Sequence, residues 1–130
     1  DMRNEVSGFT IEPTLEVMVT TQDIDDIMCT ALEGGITHWC CKAKPVGKRL
    51  GIFAHEQISR GGSLILYDAE SSYKWELTRD KFLAGFKLWL EAGSSDAGVL
   101  IGNEVDTGGI DAECADAIIQ FALFGEVVFG

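Results

Sequence analysis

Beyond Lys87 this chain contains no lysine or arginine, so its last third carries only neutral and acidic side chains. A stretch of that kind repels nucleic acid and favours basic partner surfaces. Also missing is any apolar run of the roughly 18 residues that a bilayer span requires, which sets a membrane partner aside. The opening letters DMRNEVSG hold no apolar secretion core. Cysteine occurs only at Cys29, Cys40, Cys41 and Cys114, never as CxxC. Neighbouring cysteines on a strand point to opposite faces, so the 40–41 pair suits neither a shared zinc nor a mutual disulfide. Reduced thiols in a soluble cytoplasmic protein are the expectation.

Catalytic signatures are equally scarce. GxGxxG, GxxxxGK[ST] and GxSxG are absent. His55-Glu56 could serve acid–base chemistry but lacks the second histidine of HExxH, and a helical turn stopped by Gly61-Gly62 explains the same letters. The acids between positions 104 and 116 do not form the ladder of a calcium loop. Asp106-Thr107-Gly108 is the aspartic-protease tripeptide, yet too little chain follows it for that fold. A turn leading into a helix cap fits it better. Cys40 or Cys41 beside His38 would be a nucleophilic pair only if the fold brought them together. No cofactor and no metal site are expected.

What is present is the composition of a globular domain: 46% apolar and 24% charged residues in 130 positions, enough for one core. One domain spanning 1–130 follows, with residues 1–8 as a flexible lead-in. The letters FTIEPTLEVMVT at 9–20 alternate apolar and polar, which predicts a half-buried strand with Pro13 at an edge or bend. Thr20 or Thr21 caps a helix whose Ile24, Ile27, Met28, Ala31 and Leu32 form one stripe, ended by Gly34-Gly35. Residues 36–44 read as a strand, with a continued helix as the alternative. Residues 63–68 and 73–78 form a hairpin across AESS. Thr78 caps a second helix with Phe82, Phe86, Trp89 and Leu90 buried, stopped by Gly93. After a glycine-rich loop, with a short strand at 99–101, Asp111 caps a third helix that is apolar nearly all round. A strand at 126–129 closes the chain. The order β-α-β-β-β-α-α-β, with strands clustered as hairpins, predicts an α+β fold: an antiparallel sheet packed on about three helices.

Charge supplies the candidate sites. Residues 1–65 hold nine acids and six Lys/Arg, a balance of −3; residues 66–130 hold twelve and four, a balance of −8; together they give −11. Between Glu33 and Glu56 there is no acid, and Lys42, Lys44, Lys48 and Arg49 stand within eight positions. With Trp39 to stack, Lys42, Lys44, Arg49 and Arg60 would hold the phosphates of a small nucleotide, in a pocket that two subunits could share. The opposite candidate is the acidic end: Glu104, Asp106, Asp111, Glu113 and Asp116 would face a basic protein in place of phosphates.

The segments DIDDIMCTALEGGITHWCCKA, EQISRGGSLILYD, WELTRDKFLAGFKLWLE and IDAECADAIIQFALFGEVVFG, in that order, resemble a group of small proteins of unassigned activity encoded by phages and prophages of gut Firmicutes. The resemblance runs from about residue 20 to the end. It implies an accessory phage protein in the bacterial host cytoplasm, of the kind that counters host defence. The functional expectation is then a non-enzymatic binding protein that blocks a defence component through its acidic surface. A sponge for a nucleotide immune signal is the alternative, followed by a small hydrolase using His55-Glu56 or Asp106.

Overall fold

The structure is a computed structural model that describes residues 7–93 and 98–130. The lead-in expected at 1–8 lies outside the described residues except for Ser7 and Gly8, as does the part of the glycine-rich loop at 94–97. The fold is α+β. In chain order come α1 (Thr21–Thr30), β1 (Cys40–Pro45), β2 (Leu64–Asp68), β3 (Lys74–Leu77), α2 (Arg79–Glu91), β4 (Leu100–Ile101), β5 (Glu104–Val105) and α3 (Ala112–Phe124). The first three strands form an antiparallel sheet in the order β1-β2-β3, and β4 pairs with β5 in a separate small hairpin.

Each helix starts where its cap dictates. The Thr20 hydroxyl accepts from the Asp23 N–H while the Asp23 carboxylate accepts from the Thr20 N–H, a reciprocal box that satisfies two orphan donors of α1. Thr78 accepts from Lys81 N–H at the start of α2, and Asp111 from Cys114 N–H at the start of α3. Ile24, Ile27, Met28, Phe82, Phe86, Trp89, Ile118 and Ile119 bury the apolar stripes of the three helices in one core. Helices α2 and α3 approach so closely that a Cβ on Gly85 would overlap the backbone of Ala122.

Sheet register sorts the side chains by face. Ala43, Leu66 and Trp75 lie opposite one another across the three strands, as do Pro45, Leu64 and Leu77, and these rows face the helices. The rows Lys42–Tyr67–Lys74 and Lys44–Ile65–Glu76 occupy the other face, since directly paired residues share a side.

Four sequence expectations are corrected. Residues 9–20 form no strand: Met18 alone makes a parallel bridge to Glu104, and Phe9, Ile11 and Leu15 are 103%, 85% and 71% exposed. Their alternation is real, but the edge they meet, β5, is two residues long and cannot extend the pairing. Secondly, the strand expected over 36–44 starts only at Cys40. Helix α1 runs on through one π turn at Ala31–Gly35, and Ile36, Trp39 and Cys40 are buried at helical rather than alternating spacing. A bulge between Cys40 and Lys42 then resets the register. Thirdly, the single strand expected at 99–101 is one arm of a pair: Gly102-Asn103 is a two-residue hairpin turn joining β4 to β5, with Gly102 at φ +65. Finally, residues 126–129 pair with no described strand; Glu126 lies in a bend and 127–129 are irregular. The Gln120 side chain takes the strand's place, accepting from Val128 and Phe129 N–H and donating to Phe129 C=O.

Candidate functional site

Trp39, the proposed stacking platform, is a core residue at 2% exposure. Its ring lies flat against Phe129 (5.1 Å, 6° between planes) and meets Trp75 and Phe124 edge-on at 5.7 and 6.2 Å. Its indole N–H donates to Asp116 Oδ1 at 2.7 Å. Two residues expected in different sites, Trp39 for a nucleotide and Asp116 for a protein partner, are therefore each other's partners. Asp116 also accepts from Gln120 at 2.9 Å, and His38 Nε2 stands 3.5 Å from its second oxygen. Trp39 offers no face to a base, and Asp116 belongs to the core wall. Aromatic content and a neighbouring histidine suggested a site because nothing in the letters distinguishes a ring that stacks on a ligand from one that stacks on Phe129.

The cations separate. Lys42 and Lys44 project from the outer sheet face, and Lys42 Nζ lies 4.6 Å from the Tyr67 ring centre, a cation–π contact. Lys74 joins them from β3 through the Lys42–Tyr67–Lys74 row. Tyr67 and Lys74 were missed as site residues; the alternation of β2 and β3, extended across the register, was the signal that could have found them. Lys48 and Arg49 sit on the exposed loop after β1. Arg60 is engaged elsewhere: its guanidinium bonds Glu56 Oε2 at 3.0 Å, one turn away.

The acids fall along one edge. Glu104 lies on β5, Asp106 caps the turn Thr107–Gly109 by accepting from Gly108 N–H, and Asp111 and Glu113 open α3. Thr107 Oγ1 donates to Asp26 at 2.9 Å, which ties this edge to Asp23, Asp25 and Asp26 of α1. Glu104 and Glu113 are exposed, and neither is in an ion pair with another described residue. Backbone N–H donation from Cys114 holds the Asp111 carboxyl below the usual range. Asp106 and Asp111 thus have structural duties as well as charge.

Several groups of the kind that chemistry would need have internal partners. Glu56 accepts from Ile52 and Phe53 N–H at 3.0 and 2.9 Å through Oε1 and from Arg60 through Oε2. The Phe53 amide, more than Arg60, lowers its carboxyl. His55 stacks flat on Phe53 at 5.4 Å. Burial raises the thiols of Cys29, Cys40 and Cys114, with Glu33 adding to the effect at Cys29 and Asp111 at Cys114, so at neutral pH they are poor nucleophiles. Cys40 Sγ is directed at Lys42 C=O rather than at His38. Among the described residues no three His, Cys, Asp or Glu side chains converge as metal ligands, and no helix is long and apolar enough to cross a membrane.

Compared with known protein families, curated proteins and solved structures, the chain matches none. Its surfaces are thus the evidence for function: an acidic edge running from α1 to the start of α3, and a small basic sheet face centred on Tyr67. A cleft of about 320 Å³ between α1 and residues 52–56, lined by Asp25, Asp26, Cys29, Phe53, His55 and Glu56, continues the acidic edge.

Proposed function

We propose that this chain is a non-enzymatic binding protein that docks its acidic edge onto a basic surface of another protein. With the resemblance to phage accessory proteins, the partner is a defence component of the bacterial host, blocked where it would otherwise hold nucleic-acid phosphates. The observation that carries the reading is the outward projection of Glu104 and Glu113, with no ion-pair partner among the described residues, beside the carboxylates of α1. Glu56 is held by two backbone amides and Arg60, and Cys40 is buried, which also supports binding over turnover. Charge reversal at Glu104 and Glu113 tests the idea without touching a cap. Against a panel of purified basic defence nucleases, the wild type should bind one member with salt-dependent affinity. Glu104→Lys/Glu113→Lys should weaken it at least about tenfold, the loss of two rim charges at about 1 kcal/mol each, while still unfolding in one cooperative transition. Unaltered binding by the double variant would sink the proposal.

A second reading rests on the Lys42–Tyr67–Lys74 row. Lys42 and Lys74 flank one partly exposed ring, with Lys44 in the next row of the same face, an arrangement that suits a nucleotide phosphate with Tyr67 as the stacking ring. Thermal-shift measurements against cyclic nucleotides and ADP-ribose derivatives separate the two, because a ligand at 100 times its dissociation constant adds about 2.7 kcal/mol. No shift across the panel removes this reading.

A further inference from the structure

Residues 9–17 have the pattern of half a β-ribbon, and the described chain supplies no other half. Phe9, Ile11, Leu15 and Val17 alternate with Thr10, Glu12, Thr14 and Glu16. Yet residues 7–17 make no hydrogen bond to any other described residue; the first from this arm is Met18 N–H to Asn103 C=O at 2.8 Å. Phe9 and Ile11 stand almost fully in solvent. Beneath the arm runs an open apolar groove of about 600 Å³, with Pro13, Leu15 and Val17 on one wall and Leu83, Phe86 and Leu90 of α2 on the other.

We propose that the missing half is the same segment of a second copy of this chain, the two arms pairing antiparallel about a two-fold axis at Pro13. The register follows from the letters. Placing Pro13 opposite Pro13 sets Ile11 against Leu15 and Phe9 against Val17 on one face, and Glu12 against Thr14 and Thr10 against Glu16 on the other. Sliding by two residues in one direction puts Glu12 against Glu12, and in the other Glu12 against Glu16; like charges directly opposite destabilise a sheet. A slip of one residue sets the apolar positions of one arm against the polar positions of the other. The chosen register also suits proline. Antiparallel pairs alternate between hydrogen-bonded and non-hydrogen-bonded sites, so a non-hydrogen-bonded pair at the axis costs no N–H, and 12–14 and 10–16 become the bonded pairs. Because opposite residues share a face, Phe9 and Ile11 of the second copy come to lie beside Val17 and Leu15, over the groove. The same contact is made twice, as a two-fold demands.

Sedimentation velocity on the full chain across about 1 to 100 µM should show a monomer–dimer equilibrium. Ile11→Asp should raise the dissociation constant at least about tenfold, since it places a charge at a buried apolar pair, and should match the wild-type melting curve only at concentrations where both are monomeric, because the dimer adds stability by mass action. In a Cys41→Ser background, Pro13→Cys should give an oxidised dimer, as paired Cα atoms at about 4.5 Å lie within disulfide reach of about 4.4 to 6.8 Å. Glu16→Cys, whose two copies stand roughly 20 Å apart in this register, should not. A monomer at every concentration, a dimer indifferent to Ile11→Asp, or cross-linking at position 16 as fast as at position 13 would each overturn the assignment.

Discussion

Gln120 has no exposed surface, and its amide is fully used: Nε2 donates to Asp116 and to Phe129 C=O, while Oε1 accepts from Val128 and Phe129 N–H. Gln120→Leu keeps the volume but strands two backbone amides and a carbonyl. It should cost about 2 to 4 kcal/mol, read as a lower urea midpoint, and should loosen Phe129 from Trp39. A midpoint within experimental error of the wild type would mean that water replaces the amide without loss. Asp111 gives a pH-dependent counterpart. Its folded carboxyl is lowered by Cys114 N–H, so the stability it contributes is present above the unfolded value, near 3.9, and is lost as pH falls through the folded value. Glu56 and Asp68 are lowered too, by the Phe53 amide and the Ser71 hydroxyl respectively, and act in the same sense. Asp111→Asn keeps a cap but not the charge. The wild type should be the more stable at pH 7, and the difference should vanish in strong acid; a gap unchanged by acid would assign the effect to packing alone. At this scale the caps at Thr20, Thr78 and Asp111 were legible, because a hydroxyl or carboxylate before an apolar stripe has one local use. The bond from Trp39 to Asp116 was not, since it spans 77 positions.

Elements were legible where their partners are near in sequence. All three helices and the β2–β3 hairpin follow from periodicity, caps and a short turn. Two of the four failures lie where alternation met something other than a strand of the same chain: an arm beside a two-residue edge, and residues 126–129 beside a glutamine. Of the candidate site, the acidic edge could be read from composition, whereas the basic face required the β1–β2–β3 register, which joins residues far apart in the chain. Gly85 shows how tightly the elements are fixed once assembled. Alanine is the better helix former by about 1 kcal/mol, but its Cβ would strike Ala122 backbone on α3, and backbone cannot rotate away. Gly85→Ala should therefore destabilise by about 1 to 3 kcal/mol. A gain in melting temperature would show that α2 and α3 can separate at no cost.

For the molecule as a whole, a formal charge of −11 is offset among the described residues by only two internal ion pairs, one of which needs a protonated His38. Self-repulsion then outweighs attraction, and screening should help. Raising salt from about 0.01 M to 0.1 M shortens the Debye length from about 30 to about 10 Å and should raise the melting temperature. A fall would reveal attractive charge networks larger than the two pairs. The crowded aromatic corner has a different consequence, for spectroscopy. Trp39 and Trp75 lie 5.7 Å apart with their planes at 71°, close and skewed enough for their electronic transitions to mix. The folded chain should thus show a signed exciton couplet in circular dichroism, a label-free optical signature that fades if residues 126–129 peel away from the indole they cover.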